Sequence, residues 1–117
     1  MECLAKNIYY EARGEPFQGQ LAVAKVTINR TLHPTQFGRS ICSTVYAKKQ
    51  FSWTIKRQKP PKGPEWESSK IIAEAAMMGH LRLDDFNATY YHADYVKPKW
   101  AAKLSHIGSI GSHLFYK

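Results

Sequence analysis

Two glutamates stand four positions apart in YYEARGEP, residues 9–16, with Gly14 between them and Pro16 directly after. A carboxyl group serves as a general acid only if something keeps it protonated near neutral pH. Desolvation does so by penalising the charged form. Glu11 has a suitable placement. At 100° per residue it falls on the Leu4–Ile8 side of a helix predicted over 2–13, with Glu2, Lys6 and Arg13 opposite. That helix ends one turn later, so the carboxyl can reach an opening while its stem packs on the core. The plainer alternative for an isolated glutamate is an exposed rim position or pairing with Arg13. Glu15 reads differently: next to Gly14 and Pro16, it can cap the following helix through that helix's free amides.

Glycosidases require such an acid, and a cleft of that kind would also need aromatic faces and hydrogen-bonding groups for sugar. QFSW supplies Gln50, Phe51, Ser52 and Trp53 within one stretch. A small aromatic cluster anchoring a loop is the competing reading, equal in weight for Phe51 and weaker for Trp53. In ATYYHA, residues 88–93, strand alternation sends Tyr90 and His92 one way and Tyr91 the other. Tyr91 and His92 are the best cleft candidates there, although they cannot share one face of a flat strand. Trp100 is expected to cover the core.

The elements that must position these groups follow from periodicity and punctuation. Gly14 suits a left-handed helix end and Pro16 the first turn of a second helix, predicted over 16–32. Leu21, Ala24, Ile28 and Leu32 form one stripe of that helix, and Val23 and Val26 another. A helix apolar on two sides belongs in the middle of the core. A shorter helix is predicted around 38–47. Residues 48–63, with Pro60-Pro61 and Gly63-Pro64, read as a long surface loop. A further helix runs from Pro64 to Met78 and closes at Gly79. Two short aromatic strands, 88–93 and 112–117, then make a small antiparallel sheet beside a helical body. The fold class is α+β.

Composition sets the limits. The 117 residues suffice for one domain. Apolar residues at 44% and aromatics at 13% describe a globular chain. No apolar run approaches a membrane span and no signal-peptide core precedes Cys3, so the chain is expected to be a minimal domain or one lacking its leader. With 17 basic and 9 acidic residues the net charge is +8, which favours polyanionic partners. The denser stretch Lys48, Lys49, Lys56, Arg57, Lys59 and Lys62 reads mostly as a solvated loop. No helix-turn-helix, zinc-finger or RNP-like spacing supports specific nucleic-acid binding. The two cysteines, Cys3 and Cys42, permit one disulfide or two buried thiols, and no metal-ligand spacing is present. No cofactor is implied.

CLAKNIYYEARGEPFQGQLAVAKVTINR, QFSWT, ATYYHADYVKPKWA and IGSHLFYK, in this order, resemble the cell-wall hydrolases related to spore-cortex-lytic enzymes, the SleB-like hydrolases. The resemblance covers nearly the whole chain. It implies a small lysozyme-like, lytic-transglycosylase-like α+β domain acting on the MurNAc-β-1,4-GlcNAc bond of peptidoglycan, with Glu11 as the catalytic acid. The implied partners are glycan strands of the wall, approached by a monomer in the periplasm or outside the cell. A phage endolysin is the expected setting for so small and basic a chain, with an exported wall-remodelling enzyme as the alternative. A silent wall-binding module is the non-enzymatic alternative. Because the wall is an oxidising location and both cysteines lie in helical segments that must pack on the central helix, a Cys3–Cys42 disulfide is expected.

A hydrolase would need a second carboxylate about 5 to 9.5 Å from the acid. Apart from Glu15, the remaining acids (Glu2, Glu65, Glu67, Glu74, Asp84, Asp85 and Asp94) lie outside the blocks assigned to the cleft. A lytic transglycosylase dispenses with the partner, since the sugar's own 6-hydroxyl attacks and one carboxylate both gives and takes the proton.

Overall fold

The computed structural model describes residues 2–33, 40–47, 51–56, 58–79 and 86–117. Four α-helices come first: α1 (Glu2–Ala12), α2 (Phe17–Arg30), α3 (Ile41–Val45) and α4 (Gly63–Met77). Strands β1 (Tyr90–Ala93), β2 (His106–Ile110) and β3 (His113–Tyr116) follow, and 3₁₀ turns occupy Ser52–Thr54 and Lys99–Lys103. The α+β reading therefore holds.

Helix α2 is the axle. Its Leu21 and Ala24 pack with Leu4, Ala5 and Ile8 of α1 and Ile72, Ala73 and Ala76 of α4. Its other side carries Ala22, Val23 and Val26, which meet Ala88 and Phe115 at the sheet. These are the two apolar sides seen in the sequence. The many alanines matter because short side chains let three helices approach closely without voids. The helix stops two residues short of its predicted end, and Leu32 lies 73% exposed beyond it, outside the stripe it was expected to extend.

The α1–α2 corner is made as expected, with Gly14 at φ +87°, a left-handed value that costs glycine nothing. Helix α3 begins at a capping box in which Ser40 and Ser43 satisfy each other's backbone amides. The start of the helix expected at 38–47 falls outside the described residues.

The sheet is antiparallel with strand order β1-β3-β2. Strand β2 lies between the two strands expected from the sequence, in a segment for which no strand was predicted. Its register slips between His106 and Gly108, and three of its five residues are exposed. An irregular strand exposed on one side carries little apolar alternation, so its pairing comes from β3 and not from its own composition. Trp100 also departs from expectation. It packs against Tyr90, His92 and Tyr116, on the side of the sheet away from Tyr91 and Phe115, not over the helical core.

Cys3 and Cys42 form a disulfide joining α1 to α3, with Cα atoms 5.3 Å apart and 39 positions between them in sequence. Closing a loop of that length stabilises the fold by about 4 kcal/mol in the chain-entropy account. Reduction, or replacement of both cysteines by serine, should therefore lower the melting temperature by well over 10 °C, read by calorimetry with and without reductant.

Candidate active site

Glu11 is the penultimate residue of α1, on the flank that faces β1. Its Oε1 accepts a hydrogen bond from the Tyr91 hydroxyl at 2.8 Å. Tyr91 is held from three sides: its ring meets Phe51 at 6.1 Å, Phe115 at 5.7 Å and, edge to face, His113 at 5.3 Å. Strand pairing sets Tyr91 opposite Phe115, so the same register that fills the core aims the phenol at the carboxylate.

Burial pushes the Glu11 carboxyl above its ordinary value, against the downward pull of the Tyr91 hydrogen bond and the Arg30 charge. The Tyr91 hydroxyl is pushed well up, by burial first and then by Glu11, so it stays a donor through the physiological range. Arg30, 4% exposed at the end of α2, donates from Nε to the Thr89 carbonyl at 2.6 Å. Its guanidinium also lies 5.4 Å from the ring centres of both Phe51 and Tyr90. Burial pulls the Arg30 pKa down, while Tyr91, Tyr90 and Glu11 hold it up.

Behind Tyr91 sits Asn7, fully buried. Its Nδ2 donates to Thr27 Oγ1 at 3.3 Å and its Oδ1 accepts from Trp53 Nε1 at 2.9 Å. Asn7 also acts on Tyr91, pulling the hydroxyl's pKa down against burial. Hydrogen bonds thus join Trp53 to Asn7 and Tyr91 to Glu11, and Asn7 acts on the Tyr91 hydroxyl between the two pairs.

Glu15 does not cap α2. The position preceding that helix is Pro16 and carries no side-chain cap. Glu15 Oε1 instead accepts the Ser112 amide at 2.7 Å, bracing the β2–β3 turn, with His113 Nδ1 3.6 Å away. Burial lowers the His113 pKa, so the ring is neutral at physiological pH and the contact is not a full ion pair. The turn passes so close that a side chain at Gly111, where φ is +58°, would collide with Glu15 Oε1 and Pro16. A pyrrolidine ring fixed the local backbone, and the carboxylate found its partner across the chain.

Phe51 and Trp53 are 4% and 8% exposed, packed with Val45 and flanked by Tyr10, Ile41 and Tyr91. They anchor the long segment from below, whereas the sequence placed Trp53 at a sugar-binding rim. His92 faces away from Glu11: its ring stacks on Tyr116 at 5.3 Å and Nε2 lies 2.9 Å from the Tyr116 hydroxyl. Tyr91 alone of that pair reaches the acid. Gln50 and the Ser52 side chain lie outside the described residues. Three contributors were missed in the sequence: Asn7, Arg30 and His113. Asn7 could have been found, because the same helical wheel puts it beside Glu11 on the apolar side of α1.

A carboxyl whose pKa burial raises, and whose Oε1 a phenol orients, can serve as a general acid. The cell wall hydrolase family profile matches residues 14–116. Glu11 falls just before that span, but curated relatives align across the whole chain. A spore cortex-lytic enzyme of Oceanobacillus iheyensis is 30% identical over 120 residues, covering 100% of this chain and 41% of that protein. One from Halalkalibacterium halodurans is 30% identical over 118 residues, covering 98% of this chain and 34% of its own length. The chain thus spans less than half the length of these relatives. Among solved structures, the catalytic domain of the germination-specific lytic transglycosylase SleB from Bacillus anthracis superposes with a TM-score of 0.77 at 29% identity, covering 99% of this chain and 92% of that one. The SleB catalytic domain of Bacillus cereus gives 0.79 at 29% identity, with 99% and 88% covered. The chain belongs to the cell wall hydrolase family, and its fold is that of the SleB catalytic domain.

Two expectations follow from the geometry. Tyr91→Phe removes a hydrogen bond that favours the charged carboxylate, so the basic limb of the pH–rate profile should move to higher pH while maximal activity falls. An unshifted limb would show that the phenol does not set the acid's titration. Gly111→Ala should cost about 2 kcal/mol or more, seen as a lower denaturant midpoint, because it adds left-handed strain to a collision with Glu15 and Pro16.

Proposed function

We propose that the chain is a peptidoglycan-cleaving lytic transglycosylase in which Glu11 acts first as acid and then as base. The observation that carries this reading is the Glu11 carboxyl, raised by burial and gripped by Tyr91, beside a Glu15 whose Oε1 is already committed to the Ser112 amide. Water activation requires a second, available carboxylate. Intramolecular attack does not.

The sequence of bonds is simple. Glu11 gives its proton to the glycosidic oxygen as the bond from that oxygen to muramic C1 breaks and positive charge builds on the ring. The Glu11 carboxylate left behind lies where it can stabilise that charge. The 6-hydroxyl oxygen of the same sugar then bonds to C1, and its proton returns to Glu11. No water is consumed and the enzyme returns to its starting state. Tyr91 keeps its proton throughout and steadies whichever form of the carboxyl is present. Effective concentration favours this closure over attack by bulk water.

The net charge of +8 suits docking on an anionic wall polymer, and the structural neighbour's description as a lytic transglycosylase points the same way. Among the described residues no helix is long and apolar enough to cross a membrane. The disulfide fits action in an oxidising location, on the wall. The chemistry is the same whether the wall belongs to a phage host or to the producing cell.

Glu11→Gln keeps the side-chain shape and removes the proton, so clearance of purified sacculi should fall by at least 10² to 10⁴, the usual range of general acid–base catalysis. Wild-type products should carry 1,6-anhydro ends, lighter by one water than hydrolytic ends on mass spectrometry. Reducing ends in their place would assign the reaction to hydrolysis with Glu15 as the base. Because the raised pKa means that folding holds the Glu11 proton, the native state gains stability below the unfolded-state pKa and loses it as pH rises through the folded one. Glu11→Gln should therefore melt higher than wild type at alkaline pH, with the gap closing as pH falls.

A further inference from the structure

A second concavity lies beside the hydrogen-bonded pairs Trp53–Asn7 and Tyr91–Glu11. It has a volume of about 370 Å³, and its walls include Lys6 and Tyr10 of α1, Tyr46 at the end of α3, and Trp53, Lys56 and Gln58 of the connecting segment. Trp53 belongs to both places, forming a wall of this cavity and hydrogen-bonding Asn7 behind Tyr91. The cavity is held open by fixed parts. The Tyr10 hydroxyl donates to the Lys59 carbonyl at 2.6 Å, tying the connecting segment to α1.

What such a site binds follows from what its walls leave available. The aromatic faces are already used: Tyr10 stacks on Trp53 at 4.9 Å, and Tyr46 meets the same indole edge-on at 5.6 Å. Trp53 is only 8% exposed, so the open ring face that remains belongs to Tyr46, 48% exposed at the edge of the cavity. Charge remains. Two ammonium groups line the cavity, and among the described residues none of its lining side chains is a carboxylate. Among the described residues Lys6 pairs with Glu2, at 3.4 Å and largely in solvent, an arrangement weak enough to be exchanged for a better anion.

We propose that this cavity binds the anionic peptide stem of the glycan strand, through carboxylates of the stem on Lys6 and Lys56. The inference rests on the peptidoglycan reading above. A muramic residue carries its peptide on the lactyl ether, so a strand threaded past Glu11 brings carboxylates into the same neighbourhood as the scissile bond. Charge complementarity selects the stem over the uncharged sugars, and the cavity volume is within the range of ligand sites.

The test compares sacculi-derived strands bearing their peptides with the same strands stripped by an amidase, using wild type and the double variant Lys6→Gln/Lys56→Gln. Both lysines are partly or fully solvent-exposed, and an unchanged melting temperature confirms the variant's fold. The double variant should raise KM about tenfold on peptide-bearing strands with kcat within twofold, consistent with loss of two exposed ion pairs. On stripped strands it should match wild type, whose own KM there should rise by a similar factor. An equal KM change on both substrates, or no change on either, overturns the stem site and leaves the transglycosylase reading standing. Failure of wild type to cleave either substrate overturns both.

Discussion

The hydrogen bond between the Tyr91 hydroxyl and Glu11 depends on almost everything else in the molecule. It joins the end of the first helix to the first strand, 80 residues apart in sequence. For it to form, α1 must be packed on α2 at the correct height, and β1 must be paired with β3 in the register that sets Tyr91 opposite Phe115. A one-residue slip of that register would send Tyr91 to the outer face and bring His92 or Tyr90 inward. The interaction is also a compromise in energy. Burial opposes the charged carboxylate, and the phenol and Arg30 favour it, with burial the larger effect.

The rest of the structure holds the two partners still. Phe51, Phe115 and His113 confine the tyrosine ring, and Asn7, which acts on its hydroxyl, bonds the Trp53 indole and Thr27 of α2. Glu15 supports the same arrangement from the other end. By binding the Ser112 amide it pins the β2–β3 turn against the α1–α2 corner, so the sheet cannot drift relative to the helix that carries Glu11. Two glutamates in one short block therefore take different partners, a phenol for Glu11 and a backbone amide for Glu15.

Much of this was legible in the sequence. The 3.6-residue period exposed α1 and α2, Pro64 and Gly79 marked the ends of α4, the glycine and proline at the corner fixed where α1 stops, and the wheel put Glu11 on the apolar side. Strand alternation correctly separated Tyr91 from His92. The weaker readings fell where local chemistry was ambiguous. Glu15 had suitable amides nearby, and only the approach of the β2–β3 turn shows why it ignores them. Trp53 could stack on sugar or pack inside, and the buried Asn7 carbonyl oxygen drew its N–H inward. Strand β2 has no pattern of its own to read.

By itself the sequence determined the helical framework, the two-sided burial of α2, the presence of one acid on an apolar surface and the inward–outward order of the strand beside it. These are properties of period and side-chain type, which act over one or two turns of chain. Tertiary structure decided which partner each polar group took. Glu11 with Tyr91, Glu15 with Ser112 and Trp53 with Asn7 are pairs separated by 80, 97 and 46 positions. Burial makes an unpaired polar group costly, so each one takes the partner that packing brings within reach. No local pattern encodes that partner, because it exists only after the chain has closed on itself.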